Sequence, residues 1–147
     1  MTFNNFKLEF LNWMTENIEP KQKDVGFSIC PYAKKARLQN KIQFIDCSDG
    51  DLNKILNFNQ KEYDICIVWL KDNIKNVNKN LKYFENKNPD LLYMLSTKHS
   101  GNFVKNFTNC IFIQNKKDIE NKRNYLMSLG YYKNWPSSYY EKIINNL

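Results

Sequence analysis

The sequence has few of the residues that supply the commonest chemistry of small proteins. It contains one histidine, His99, and four cysteines, at positions 30, 47, 66 and 110. The cysteine spacing gives neither the close pairs of a zinc site nor the density of a disulfide framework. We therefore expect free thiols in a reducing, cytoplasmic setting, with no metal site and no cofactor.

Long apolar segments and helix-breaking residues are also scarce. The longest strongly apolar run, residues 65–70, is much shorter than the ~20 residues that cross a bilayer. The N-terminus lacks the basic and apolar regions of a secretory signal, so we expect no contact with membranes. Four glycines and four prolines interrupt a chain that is 42% hydrophobic. This composition predicts a single folded α/β domain over residues 1–147.

Arginine is rare in a chain whose formal net charge is +7. The charge favours anionic partners, but only Arg37 and Arg123 carry the planar fork that reads phosphates and bases. The chain also contains 23 asparagines, and asparagine and lysine both have A- and T-rich codons. A low-GC genome therefore explains much of the lysine content and of the positive charge. A nucleic acid is therefore a less favoured partner. We assign Lys122 and Arg123, with Lys116 and Lys117, to the solvated side of a helix.

Hydrophobic periodicity predicts alternating helices and strands. The expected strands cover residues 41–46, 63–70, 91–97 and 110–113. An N-terminal helix over residues 1–18 and a short helix over 31–39 precede them. A helix starts at Ser48 with Asp51, and another is capped by Asp72 or Asn73. The last two are a helix from Asn115 to Gly130 and a short helix that follows an aromatic turn within residues 131–147.

This order of elements predicts an α/β fold. We expect a single mixed sheet of about four strands with helices on both faces, either thioredoxin-like or a related α/β sandwich. Right-handed crossovers would make the first three strands parallel. Their carboxyl ends would then share one edge of the sheet, which is where such folds bind ligands.

The most distinctive motif is Cys30-Pro31-Tyr32-Ala33. Proline is typical of the first turn of a helix, which places the thiol of Cys30 at a helix N-terminus. The helix dipole and the unpaired N–H groups there stabilise a thiolate, and Lys34, Lys35 and Arg37 add positive charge. The alternative is that Cys30 only caps the helix.

The segment from Val25 to Arg37 resembles the strand-to-helix segment of glutaredoxins, which carry Cys-Pro-Tyr-Cys followed by basic residues. The resemblance implies that Cys30 is the attacking thiol. Ala33 replaces the resolving cysteine, which leaves at most a monothiol mechanism. The Thr-Val-Pro and Gly-Gly segments of that family are missing, and Asn88-Pro89 is the one substitute for its proline. The chain also resembles short uncharacterised proteins of marine phages and bacteria with Cys-Pro-Tyr/Phe-Ala-Lys after an N-terminal helix, a likeness that implies no activity.

A second group of candidate residues follows the first strand. Residues 46–51 bring three carboxylates and the thiol of Cys47 into one loop, where they either bind a ligand or cap the next helix. If the helix from Pro31 packs antiparallel to that strand, Cys30 returns towards Asp46 and Cys47. Lys98 and His99 would then lie at the same edge, in a nucleophile-and-base arrangement.

These patterns support one leading hypothesis and two alternatives. The leading hypothesis is a small thiol protein that takes a small anionic or thiol ligand, with Cys30 and His99 as catalytic candidates. The ligand-binding candidates are Pro31, Tyr32, Lys34, Asp46, Cys47 and Lys98. The alternatives are a basic nucleic-acid-binding module and a non-catalytic assembly protein, a homo-oligomer joined through its N-terminal helix. Whether the chain is an enzyme stays open at this point.

Overall fold

Four strands form one mixed sheet in the computed structural model, which describes residues 1–20, 31–75, 77–96 and 109–130. The strands are β1 (Ile42–Asp46), β2 (Ile65–Trp69), β3 (Leu91–Ser96) and β4 (Cys110–Asn115). All four lie within or close to the ranges that the sequence predicts. The segment before Pro31 that includes Cys30, most of the loop after β3 and the C-terminal aromatic segment lie outside the described residues.

The helices follow the predicted order. Helix α1 (Phe3–Trp13) continues as a π-helical segment, Met14–Ile18. The other helices are α2 (Pro31–Leu38), a 3₁₀ helix (Leu52–Asn57), α3 (Val77–Lys87) and α4 (Lys116–Ser128). Within the described ranges, no helix has both the length and the apolar character that a membrane crossing requires.

Several helix ends are set by the residues that the sequence singles out. The Asn115 side chain accepts the N–H of Asp118 at 2.9 Å and caps α4, and Gly130 takes the predicted positive φ, +75°, after that helix. At the start of α1, the Thr2 hydroxyl accepts the N–H of Asn5 at 3.1 Å. The contacts of Asn115 and the positive φ of Gly130 confirm the predicted ends of α4.

Two predicted helix starts are wrong. Asp51, not Ser48, caps the helix after β1, and that helix is a 3₁₀ helix. Helix α3 begins at Val77 and not near Asp72, and residues 70–73 instead form a turn in which the Leu70 carbonyl accepts the N–H of Asn73 at 2.9 Å. Asn73 donates its side-chain amide to the Ser48 carbonyl, so this residue ties two loops together instead of capping a helix.

The strand order in the sheet is β1-β2-β4-β3. Strand β1 pairs with β2 in parallel, whereas β4 is antiparallel to both β2 and β3. Strands β1, β2 and β3 therefore run in the same direction, as predicted, although β4 separates β3 from the other two. Their carboxyl ends meet at one edge, along the row Asp46, Trp69, Cys110 and Ser96. The single mixed sheet confirms the α/β fold, whereas the thioredoxin-like form is not confirmed.

Each face of the sheet has its own core, because side chains alternate along every strand. One core combines α3 and the 3₁₀ helix with strand residues such as Val68 and Ile113. The other core combines α1 and α2 with Ile42, Ile67 and Trp69. The helices therefore cover both faces, as the sequence predicts.

The π-helical segment is joined to α2 by an ion pair. The Arg37 guanidinium donates two hydrogen bonds to the Glu19 carboxylate, Nε to Oε2 and Nη2 to Oε1, both at 2.7 Å. The Glu19 side chain is only 7% exposed, and the Arg37 side chain is 27% exposed. This bidentate pair connects the two ends of the segment that contains Cys30.

Arg37→Gln should lower the free energy of unfolding by about 1.5–3 kcal/mol, because it leaves a nearly buried carboxylate without its cation. Urea denaturation measures this loss. Lys35→Gln is the matched control, since it removes an exposed charge from the same helix and should change stability by less than about 0.5 kcal/mol. Equal stability of the two variants would show that the ion pair contributes nothing.

Candidate functional site

Three of the predicted site residues, Cys30, Lys98 and His99, lie outside the described part of the chain. The structure describes the elements that are next to them in the sequence. Helix α2 begins at Pro31, the residue bonded to Cys30. Ser96, two residues before Lys98, ends β3 at the carboxyl edge of the sheet, where its carbonyl accepts the N–H of Asn109 at 2.9 Å.

The carboxylates after β1 bond within their own loop. Asp46 accepts the N–H of Ser48 at 2.9 Å, and Asp51 accepts the N–H of Asn53 at 3.1 Å. Asp49 accepts the N–H of Asp51 and forms an ion pair with Lys54 at 2.7 Å. The Lys54 bond lowers the pKa of Asp49. These contacts close turns and start the 3₁₀ helix. They correspond to the second of the two roles that the sequence allowed for these carboxylates, the capping of the next helix.

The side chains of Cys47 and Asp46 lie on opposite faces of the sheet. The Cys47 side chain has no exposed surface and belongs to the core that contains α3. Helix α2, with Ala33 and Ala36, packs on the other face of the sheet. By strand alternation, Asp46 and not Cys47 is on the face that α2 covers. The strand pleat therefore separates two candidates that are adjacent in sequence.

Burial also raises the pKa of the three described thiols. Loss of hydration raises the pKa of Cys47 and of Cys110 from 9.0 to about 12. The pKa of Cys66 rises for the same reason. All three side chains are fully buried, so they behave as small hydrophobic groups.

A cavity of about 330 Å³ lies on the face that α1 and α2 cover. Its lining comes from α1 and the π-helical segment, from α2, from α4 and from the sheet. The apolar members include Trp13, Ile18, Ala36, Phe112, Ile119 and Leu126. Ligand sites of proteins have this size and this largely apolar lining. Tyr32, one of the predicted ligand-binding residues, also lines the cavity.

The charged groups of the cavity come from α4 and from the turn before β2. Lys122 is paired with Asp118 at 2.9 Å, and its ammonium group lies 5.1 Å from the centre of the Tyr32 ring. Arg123 and Asp64 also line the cavity. Arg123 is half-buried and forms no ion pair with a carboxylate in the described ranges, whereas Asp64 is exposed to water.

Sequence reasoning missed this cavity and assigned Lys122 and Arg123 to a solvated helix side. Both side chains are instead half-buried at the cavity. The spacing of Ile119, Lys122, Arg123 and Leu126 puts these residues on one face of α4. That pattern was visible in the sequence, but which element lies opposite the face is decided by the tertiary fold. Lys34, the remaining ligand-binding candidate, is exposed on α2 and does not line the cavity.

Over the described residues, no group of three or more His, Cys, Asp or Glu side chains is arranged to hold a metal ion. Comparisons of the chain with protein-family models, with curated proteins and with solved structures found no match. The cavity and its charged groups are therefore the basis of the functional argument.

We expect the protein to lose stability at alkaline pH because three of its thiols are buried. Below about pH 9 the thiols are protonated in both the folded and the unfolded state. They therefore do not make the free energy of unfolding depend on pH in that range. Above that pH the unfolded state releases protons that the folded state keeps up to about pH 12. The free energy of unfolding should therefore fall as the pH rises, by up to about 1.4 kcal/mol per pH unit for each thiol.

Cys110→Ala isolates this effect, because it removes one buried thiol and leaves the others. Denaturation from pH 8 to pH 11 should show a shallower decline for this variant above about pH 9, by up to about 1.4 kcal/mol per pH unit. Any constant offset in stability reports repacking of the core. Identical slopes for the two proteins would contradict the role of the buried thiols.

Proposed function

We propose that this protein binds a small, mainly apolar molecule in the cavity between α1, α2, α4 and the sheet. The observation that carries the proposal is the cavity itself, about 330 Å³ in volume and lined mostly by apolar side chains. Cavities of this kind hold apolar molecules in preference to ordered water, because water finds few hydrogen-bond partners in them. Binding a ligand there would remove apolar surface from water.

The walls of the cavity suit a defined ligand. Phe10 and Met14 are buried parts of the core, so their positions are fixed before any ligand binds. On α2, the small side chains of Ala33 and Ala36 line the cavity and take up little of its space. A preformed wall reduces the entropy that binding must overcome.

Ile119→Trp should weaken binding by at least tenfold, because a larger side chain on the cavity wall occupies the space of the ligand. Nile red, a neutral apolar dye, is a direct probe whose fluorescence rises in an apolar site. The matched control is Asn121→Trp, which adds the same ring at an exposed position of α4. Unchanged dye binding by Ile119→Trp would contradict a ligand site in this cavity.

The thiol hypothesis from the sequence remains a second proposal, with Cys30 as its reactive or ligand-binding group. One observation favours Cys30 over the other cysteines, because Cys47, Cys66 and Cys110 are fully buried. Thiol chemistry in this chain therefore depends on Cys30. The helix that follows it contributes Tyr32, Ala33 and Ala36 to the cavity, so one helix serves both proposals.

The alkylation rate of Cys30 tests this second proposal. Labelling with iodoacetamide, followed by mass spectrometry of peptides, should give a rate that rises with an inflection well below about pH 8, because a helix N-terminus stabilises the thiolate. The three buried cysteines are internal controls that should react only after denaturation. An inflection at about pH 8.5 or above would mean an ordinary thiol.

A further inference from the structure

We propose that the ligand of the cavity is an aliphatic carboxylate whose anionic head group is bound by Arg123. This inference rests on the proposed binding function and adds the chemical class of the ligand. It starts from the charges that line the cavity, of which Asp64, Asp118, Lys122 and Arg123 are the members.

Two of these charges already satisfy each other. The Lys122 ammonium group contacts the Asp118 carboxylate at 2.9 Å, and it lies against the ring of Tyr32. An ammonium group in that position has an anion and an aromatic face as partners. Lys122 and Asp118 therefore leave no net charge for a ligand.

The other two charges differ in their access to water. Asp64 is exposed, on the turn before β2, and its backbone N–H is bonded to the Lys41 carbonyl at 2.8 Å. Its carboxylate is solvated and needs no other partner. Arg123 is half-buried at the cavity, whose lining is mostly apolar, and no ion pair joins it to a carboxylate in the described ranges. A partly desolvated cation gains most from an anionic partner.

Arginine also limits the geometry of that partner. Its guanidinium group is planar and donates two parallel hydrogen bonds, which match the two oxygens of a carboxylate. Ile119 and Leu126, which share the Arg123 face of α4, supply apolar surface beside the guanidinium. A molecule with a carboxylate at one end and a hydrocarbon chain behind it satisfies both surfaces.

The test compares three ligands that differ only in the head group, namely decanoate, 1-decanol and decylamine. Isothermal titration calorimetry on the full chain at low salt should show decanoate binding about 10- to 100-fold more tightly than 1-decanol. Arg123→Gln should remove that preference, because decanoate loses the partner of its head group and binds no more tightly than 1-decanol. Arg123→Lys, which keeps the charge but loses the fork, should retain part of the preference.

Lys117→Gln is the matched control, because it removes a positive charge from an exposed position of the same helix. It should leave the preference for decanoate intact. Equal binding of decanoate and 1-decanol, or tighter binding of decylamine, would overturn the carboxylate assignment while the binding function stands. Absence of binding by all three ligands and by Nile red would overturn the binding function as well.

Discussion

Contacts between aromatic rings hold α1 against the sheet, and the other helices on that face depend on its position. The Phe6 ring stacks on Trp69 with ring centres 5.5 Å apart, and Phe10 meets Phe44 and Phe112, each at 5.7 Å. These partners belong to three different strands, β2, β1 and β4. An isolated helix as short as α1 is marginal in water, so this burial stabilises it. The Glu19–Arg37 ion pair then joins the end of that helical segment to α2.

A difference in side-chain size on this face opens the cavity. Helix α1 meets the sheet with large rings, whereas α2 contributes the small side chains of Ala33 and Ala36. Large rings keep a helix axis away from the sheet, and two alanines cannot fill the space that remains beside them. Helix α4 closes the space with Ile119 and Leu126. The cavity is therefore a consequence of packing unequal side chains under three helices.

The sequence predicted the fold well because the hydrophobic pattern is local. Runs such as residues 65–70 indicate strands wherever they lie in the sheet, and Gly130 and Asn115 end or start a helix through contacts a few residues away. The predicted start of α3 was wrong because Asn73, one of its predicted caps, instead bonds to Ser48, which is distant in the sequence. The cavity could not be predicted for the same reason, since no local pattern shows that Trp13 and Ile119 line one space.

The two faces of the sheet differ in what they can bind. The face under α3 is filled by buried groups, including the thiols of Cys47 and Cys66, whose raised pKa values keep them neutral. The opposite face has the cavity and the half-buried residue Arg123. Strand alternation places Asp46 on this second face. Helix α2, which begins at Pro31, covers the same face. Helix α2 and the proposed ligand site therefore lie on one side of the sheet, while the other side supplies stability.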